Sequence, residues 1–180
     1  AWDESFAARR WIHLEPDMEF RCFVSGGQLT AVSQYRHLIH SPRLVAMREL
    51  VLSGLVTFFG ERIHPRLHGI FPEDRYIVDL AVELQGGDSS NILSADCSDI
   101  ALGRWWCIEV NPFFETTDGC LFSWGRERSL LEGASVEPEA PAAPAFRLRE
   151  RPSHGALALV YGHWKAALAD GPQEAPVSGQ

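Results

Sequence analysis

The segment EFRCFVSGGQLTAVSQ, from Glu19 to Gln34, constrains the fold of this chain more than any other. Phe20, Cys22 and Val24 alternate with Glu19, Arg21 and Phe23, which is the two-residue period of a strand with unlike faces. Gly26-Gly27 follows, and adjacent glycines supply the positive φ angles that a two-residue hairpin turn needs. Leu29, Ala31 and Ser33 then resume the alternation. The segment is a β-hairpin, so the chain contains an antiparallel sheet.

The other elements read less sharply. Arg10 to Leu14 is a short extended run, turned by Glu15-Pro16-Asp17. Ser41 is placed to cap a helix with Pro42 at its first position, where a missing N–H is harmless. Leu44, Met47, Val51, Leu55 and Phe58 recur at helical spacing, and Gly60 offers a stop. The stretch from His64 to Asp74 reads as a loop. Arg75 to Leu84 is apolar enough for a central strand, with Asp79 in its middle. Gln85 to Leu102 reads as a loop, and Arg104 to Phe113 as the next strand. A turn at Thr116-Thr117-Asp118-Gly119 leads to a short helix over Leu121 to Leu131. Ala145 to Arg151 suggests an edge strand and Leu157 to Ala169 a terminal helix. The expected class is α+β, with a largely antiparallel sheet and packed helices. Residues 1–132 form the main lobe, 133–144 a flexible linker rich in Pro, Ala and Glu, and 145–170 a strand and helix of the same domain. Residues 171–180 read as a disordered tail.

Composition narrows the function classes. With 180 residues the chain is one domain or one lobe of something larger. No apolar run reaches the roughly 18–20 residues that span a bilayer; the longest, Leu50 to Phe59, is broken by Ser53, Gly54 and Thr57. A membrane partner is not expected. No leader-like segment opens the chain, so a cytoplasmic location is expected. A net charge of −8 argues against direct nucleic-acid binding, which needs a basic face. Lys165 is the only lysine. Cys22, Cys97, Cys107 and Cys120 show no close spacing and read as reduced core thiols.

Three groups of residues carry chemistry. In IEVNPF, Glu109 and Asn111 stand two apart on one face of a strand, with Val110 expected on the packed side. Side-by-side hard oxygen donors suit a Mg²⁺ ion bridging phosphates, although an ordinary polar strand face has the same pattern. Asp79, in an apolar strand, must be hydrogen-bonded, paired or metal-bound. If its strand pairs with that of Glu109, the two carboxylates converge and need a shared cation or proton. The alternative is an ion pair with an arginine such as Arg21 or Arg104. Glu19 and Arg21 share one hairpin face, where Arg21 suits phosphate oxygens or a surface charge ladder. His64 and His68 have a metal-like spacing, but Pro65 between them is expected to break the helix that would align them, so no zinc site is expected there. No serine carries the glycines of a hydrolase nucleophile turn.

Taken in order, EFRCFV with its hairpin turn and VSQ, then YIVDLAV, then IEVNPFFETTDGCLFSW, resemble the cell division cycle protein 123 family. PAFRLRERP is similar to a later segment of that family. The resemblance implies an ATP-grasp fold, of which this chain would be the C-terminal lobe. Arg10 to Leu14 would then be a hinge strand at the nucleotide, with Trp11, Ile12 and His13 presenting backbone groups to adenine. Glu19 and Arg21 would lie near the ribose and phosphates. Asp79, Glu109 and Asn111 would hold Mg²⁺, with Glu109 replacing a more usual aspartate. Ser33-Gln34-Tyr35 departs from the family's Ser-Gln-Arg, so the basic residue there is lost or shifted to Arg36. The lysines that clamp phosphates in this fold precede the hinge and are not in this chain, so a longer protein is expected. The implied function is that of an ATP-dependent assembly chaperone for eukaryotic translation initiation factor 2, acting on its γ subunit. The alternatives are an ATP-grasp ligase or kinase and a nucleotide-free interaction module.

Overall fold

The computed structural model describes residues 11–86, 95–134 and 143–152. Arg10, the expected helix at 157–169, the tail at 171–180 and most of the expected linker lie outside the described residues.

The sheet grows outward from the hairpin. Strands β1 (Glu19–Ser25) and β2 (Gln28–Gln34) are joined by Gly26 and Gly27, with φ angles of 59° and 73°. β3 (Tyr76–Gln85) pairs antiparallel with the other side of β1, and β4 (Ala101–Asn111) antiparallel with β3. β5 (Ala145–Arg147) joins β2 in parallel. The order β4-β3-β1-β2-β5 leaves β3 with a strand on each side, which suits its apolar sequence. The α+β class and the largely antiparallel sheet are as expected.

One face of the sheet is covered by helices. Ser41 accepts a hydrogen bond from the Leu44 amide at 3.2 Å and caps α1 (Pro42–Ala46). Asp17 braces this start: its carboxylate accepts from Ser41 Oγ at 2.6 Å and from Arg43 Nε at 2.8 Å, with all three residues buried. α2 (Arg48–Phe58) follows, and Val51 and Leu55 pack against Phe20, Cys22, Val78 and Leu80. Gly60 does not end the helix. The chain widens into a π-helical turn (Phe59–Ile63) and continues as α3 (His64–Leu67), because burial of Phe59 and Ile63 outweighs the glycine penalty. Pro65 falls in the first turn of α3, where it breaks nothing, so the His64 and His68 rings do meet, with centroids 5.1 Å apart. The expected loop from His64 to Asp74 is therefore partly helical.

On the opposite face, Phe23, Ala31 and Ile77 are covered by Phe122 and by Leu131 of α4 (Trp124–Leu131). Three further expectations fail. Val110 is 38% exposed rather than packed. β4 is an edge strand, and α2 covers only its other end, where Phe58 stacks on Trp105 at 5.9 Å. Residues 11–14 form no strand, and Trp11 is 90% exposed; the Met18 amide bonds the Glu15 carbonyl, so a turn leads directly into β1. Of the four thiols, none of them in a disulfide, only Cys22 is a core residue, while Cys107 is exposed on the edge strand. No described helix is long and apolar enough to cross a membrane.

Candidate functional site

Strand register builds the site. Ser33 lies opposite Arg21, Arg21 opposite Asp79, and Asp79 opposite Glu109, so one row crosses four strands. Neighbouring strands are about 4.8 Å apart, which puts each side chain within reach of the next. Arg21 donates from Nε to Asp79 Oδ1 at 2.9 Å and from Nη2 to Oδ2 at 2.7 Å, a two-pronged and fully buried bond. The same Nη2 stands 3.9 Å from Glu109 Oε1. Asn111, two residues on from Glu109 and on the same face, donates from Nδ2 to Asp79 Oδ2 at 3.2 Å and to Glu109 Oε1 at 3.0 Å.

Thus the pairing partner of Asp79 is Arg21; Arg104 instead lies over the Trp106 ring. The carboxylates of Asp79 and Glu109 nevertheless converge with Asn111, as the strand spacing predicts. Arg21 is itself held from two further sides. Its Nη1 donates to the Asp118 carbonyl at 2.9 Å, and its guanidinium lies 4.8 Å from the centre of the Tyr35 ring. Arg36 stacks over the same ring at 5.5 Å and approaches Glu19 to 4.0 Å, so a basic group does reach this face from the position after Tyr35.

Burial dominates the electrostatics of the row. Burial pushes the Asp79 carboxyl up to about 6; the Arg21 bonds and charge oppose the rise and Glu109 adds to it. Burial also raises Glu19, against the pull of Arg36. Arg21 is held protonated more firmly than usual: burial opposes its charge, but Asp79 more than compensates. The side chain of Glu109 is 46% exposed, so the row opens to solvent at that end. Two carboxylates and a carboxamide are hard donors of the kind Mg²⁺ takes. The raised proton affinity of Asp79 is mainly the cost of burying its charge, with Glu109 a smaller contribution. By donor type the residues fit a divalent cation.

Of the residues selected from sequence, Glu19, Arg21, Asp79, Glu109 and Asn111 meet on this face. No hydrogen bond or ion pair among the described residues links Trp11, Ile12 or His13 to it, and Arg10 lies outside the described residues. Sequence reading missed the Asp118 carbonyl, since a main-chain acceptor leaves no trace in residue type. It also missed Gln34, fully buried, which fixes the segment after β2 by donating to the Arg36 and Ile39 carbonyls at 3.1 and 2.8 Å. A buried polar residue closing an alternating strand was the available signal.

Comparison with known proteins supplies the family. The model of the D123 family matches residues 3–159. A translation initiation factor eIF2 assembly protein of Xenopus tropicalis is 30% identical over 139 residues, covering 77% of this chain and 35% of that protein. Cell division cycle protein 123 of Eremothecium gossypii is 28% identical over 169 residues, covering 94% of this chain and 40% of the relative. The C-terminally truncated Cdc123 of Schizosaccharomyces pombe superposes with a TM-score of 0.51 at 25% identity, over 77% of this chain and 42% of that one. The chain thus spans well under half the length of these relatives. With most of its length matched by the family model, the chain belongs to the D123 family.

Proposed function

We propose that this chain is the C-terminal lobe of an ATP-grasp protein that binds ATP with Mg²⁺, and that it serves the assembly of eukaryotic translation initiation factor 2 in the cytoplasm through the γ subunit. The observation that carries the nucleotide reading is the meeting of Asp79, Glu109 and Asn111 beside Arg21 on a sheet face open at one end. The names of the relatives support the assembly role.

In this reading Asp79, Glu109 and Asn111 would hold the cation, which would supply positive charge to offset that of the phosphates. Arg21 holds Asp79 in place and adds a positive charge beside the phosphates, and Glu19 faces the ribose. Arg10, Trp11, Ile12 and His13 would flank the base, with the backbone of the last three offered to adenine. ATP orders the surface that receives the γ subunit and is turned over little.

The test is calorimetric titration of ATP and Mg²⁺ into the protein extended to the length of its relatives. Asp79→Ala and Asn111→Ala should each weaken binding more than tenfold, about 1.4 kcal/mol or more. Unchanged affinity in both variants would remove the metal assignment. Nucleotide-dependent association with the isolated γ subunit is expected in the same preparation. Rapid ATP turnover on supply of an acceptor, without that association, would favour a ligase.

A further inference from the structure

A second set of donors lies behind Arg21, and it is of different chemistry. His37, just beyond β2, meets Asp118 and Cys120 from the turn that precedes α4. One ring nitrogen, one carboxylate oxygen and the sulfur all lie within 4.8 Å of one another. We propose that His37, Asp118 and Cys120 form a site for a single zinc-class divalent cation, distinct from the all-oxygen set at Asp79, Glu109 and Asn111.

Three features of the surroundings support it. First, the donors are already oriented. His37 Nδ1 is 3.3 Å from the Tyr35 carbonyl; in the tautomer that carries its proton on Nδ1, Nε2 is the nitrogen left for a metal, the usual arrangement of a ligating histidine. Asp118 Oδ1 accepts from the Cys120 amide at 3.0 Å, which fixes the carboxylate against its own turn. Second, both segments are tied to the sheet. Arg149 Nε donates to the His37 carbonyl at 2.8 Å, the Leu121 amide donates to Ser33 Oγ at 3.1 Å, and Arg21 holds the Asp118 carbonyl at 2.9 Å. Third, the reach is right. Ligand atoms on a tetrahedral Zn²⁺ stand about 3.3–3.8 Å apart, given bonds of about 2.0–2.3 Å, so side-chain shifts of about 1 Å bring the three donors onto one ion.

Donor type decides the ion. A thiolate and an imidazole select a borderline-soft metal over Mg²⁺. Three protein ligands leave one position for water or an incoming group. Because Arg21 touches both the Asp118 carbonyl and Asp79, an ion here stiffens the segment against which Arg21 rests. Metal binding at this point does not require ATP.

The experiment titrates Co²⁺ into the untagged 180-residue chain and records its visible and near-ultraviolet spectrum. Tetrahedral d–d bands and a sulfur-to-cobalt charge-transfer band are expected, both removed by stoichiometric Zn²⁺ and unaffected by excess Mg²⁺. Cys120→Ser should abolish the charge-transfer band, while Cys107→Ser, at the exposed thiol, should retain it. His37→Gln and Asp118→Asn should each lower Zn²⁺ affinity at least tenfold in competition with a chromophoric chelator, with far-ultraviolet circular dichroism unchanged. A pale octahedral spectrum, a charge-transfer band that survives Cys120→Ser, or full affinity in the folded His37→Gln variant would each overturn the proposal. None of these readouts depends on nucleotide binding.

Discussion

Arg21 is the residue on which the site turns. The residue is 5% exposed, and its guanidinium supplies both prongs of the bond to a carboxylate that is fully buried. Removing it leaves Asp79 as a buried charge with only the Asn111 amide for company. Arg21→Met should therefore destabilise the fold by about 3 kcal/mol or more, read by urea denaturation. The same pair gives a titration with a defined sign. The Asp79 carboxyl takes its proton near pH 6 in the fold and near its ordinary value of 3.8 when unfolded. Protons thus favour the folded state between those values, so this contribution to stability is present in acid and is lost as pH rises from about 4 to 6. Carboxyl carbon resonances should place the Asp79 midpoint near 6, higher in Arg21→Met and lower in Glu109→Gln. A midpoint near 4 would show that Arg21 compensates burial fully. At this scale the sequence was partly legible. An aspartate inside YIVDLAV demanded a partner, and alternation placed Arg21 on an equivalent face. Which arginine answered depended on strand order, which no local pattern encodes.

Elements were legible where their ends carry chemistry and obscure where neighbours decide. The hairpin is visible because two glycines in succession permit its turn, and α1 because Ser41-Pro42 is a cap followed by a proline at the first position. Ser41 does more than cap: it also donates to buried Asp17, so one hydroxyl ties the turn before β1 to the start of the helices. An ordinary cap replacement costs about 1 kcal/mol. Ser41→Ala should exceed that, by about 1 kcal/mol more for the second bond, and the surplus should vanish in an Asp17→Asn background, as a double-mutant cycle of denaturation midpoints would show. The helix beyond Gly60 and the exposure of Val110 were hidden for the opposite reason. A glycine costs about 1 kcal/mol in a helix, less than burial of Phe59 and Ile63 returns. Val110 has the alternation of a packed residue, but the helical layer ends before reaching it.

At the scale of the molecule, the sheet divides labour between its faces. The face bearing Phe20, Cys22, Val78 and Leu80 is sealed by α2 and is the larger core. The face bearing Arg21, Asp79 and Glu109 carries the smaller core beneath Leu131 and keeps its polar row open at Glu109. Side chains alternate along each strand, so the same short strand segments build the core with one set of residues and present the site with the set between them. Stability and ligand binding should then be separable by face. Leu55 is fully buried against the first face, and Leu55→Ala should lower stability by about 3 kcal/mol through the cavity it leaves. Below its melting temperature that variant should bind Mg²⁺ and ATP as the parent does, in the protein extended to the length of its relatives. Glu109→Gln should do the reverse. Its side chain is 46% exposed and only 3.9 Å from Arg21 at nearest approach, a weak contact, so stability should move by about 1 kcal/mol or less. Nucleotide affinity should fall at least tenfold, since one of the two carboxylates of the proposed cation site is gone. Thermal unfolding and calorimetry on the two variants side by side give the answer. Loss of affinity in folded Leu55→Ala would mean that the faces are coupled through the strands, and that the site depends on the core for more than a scaffold.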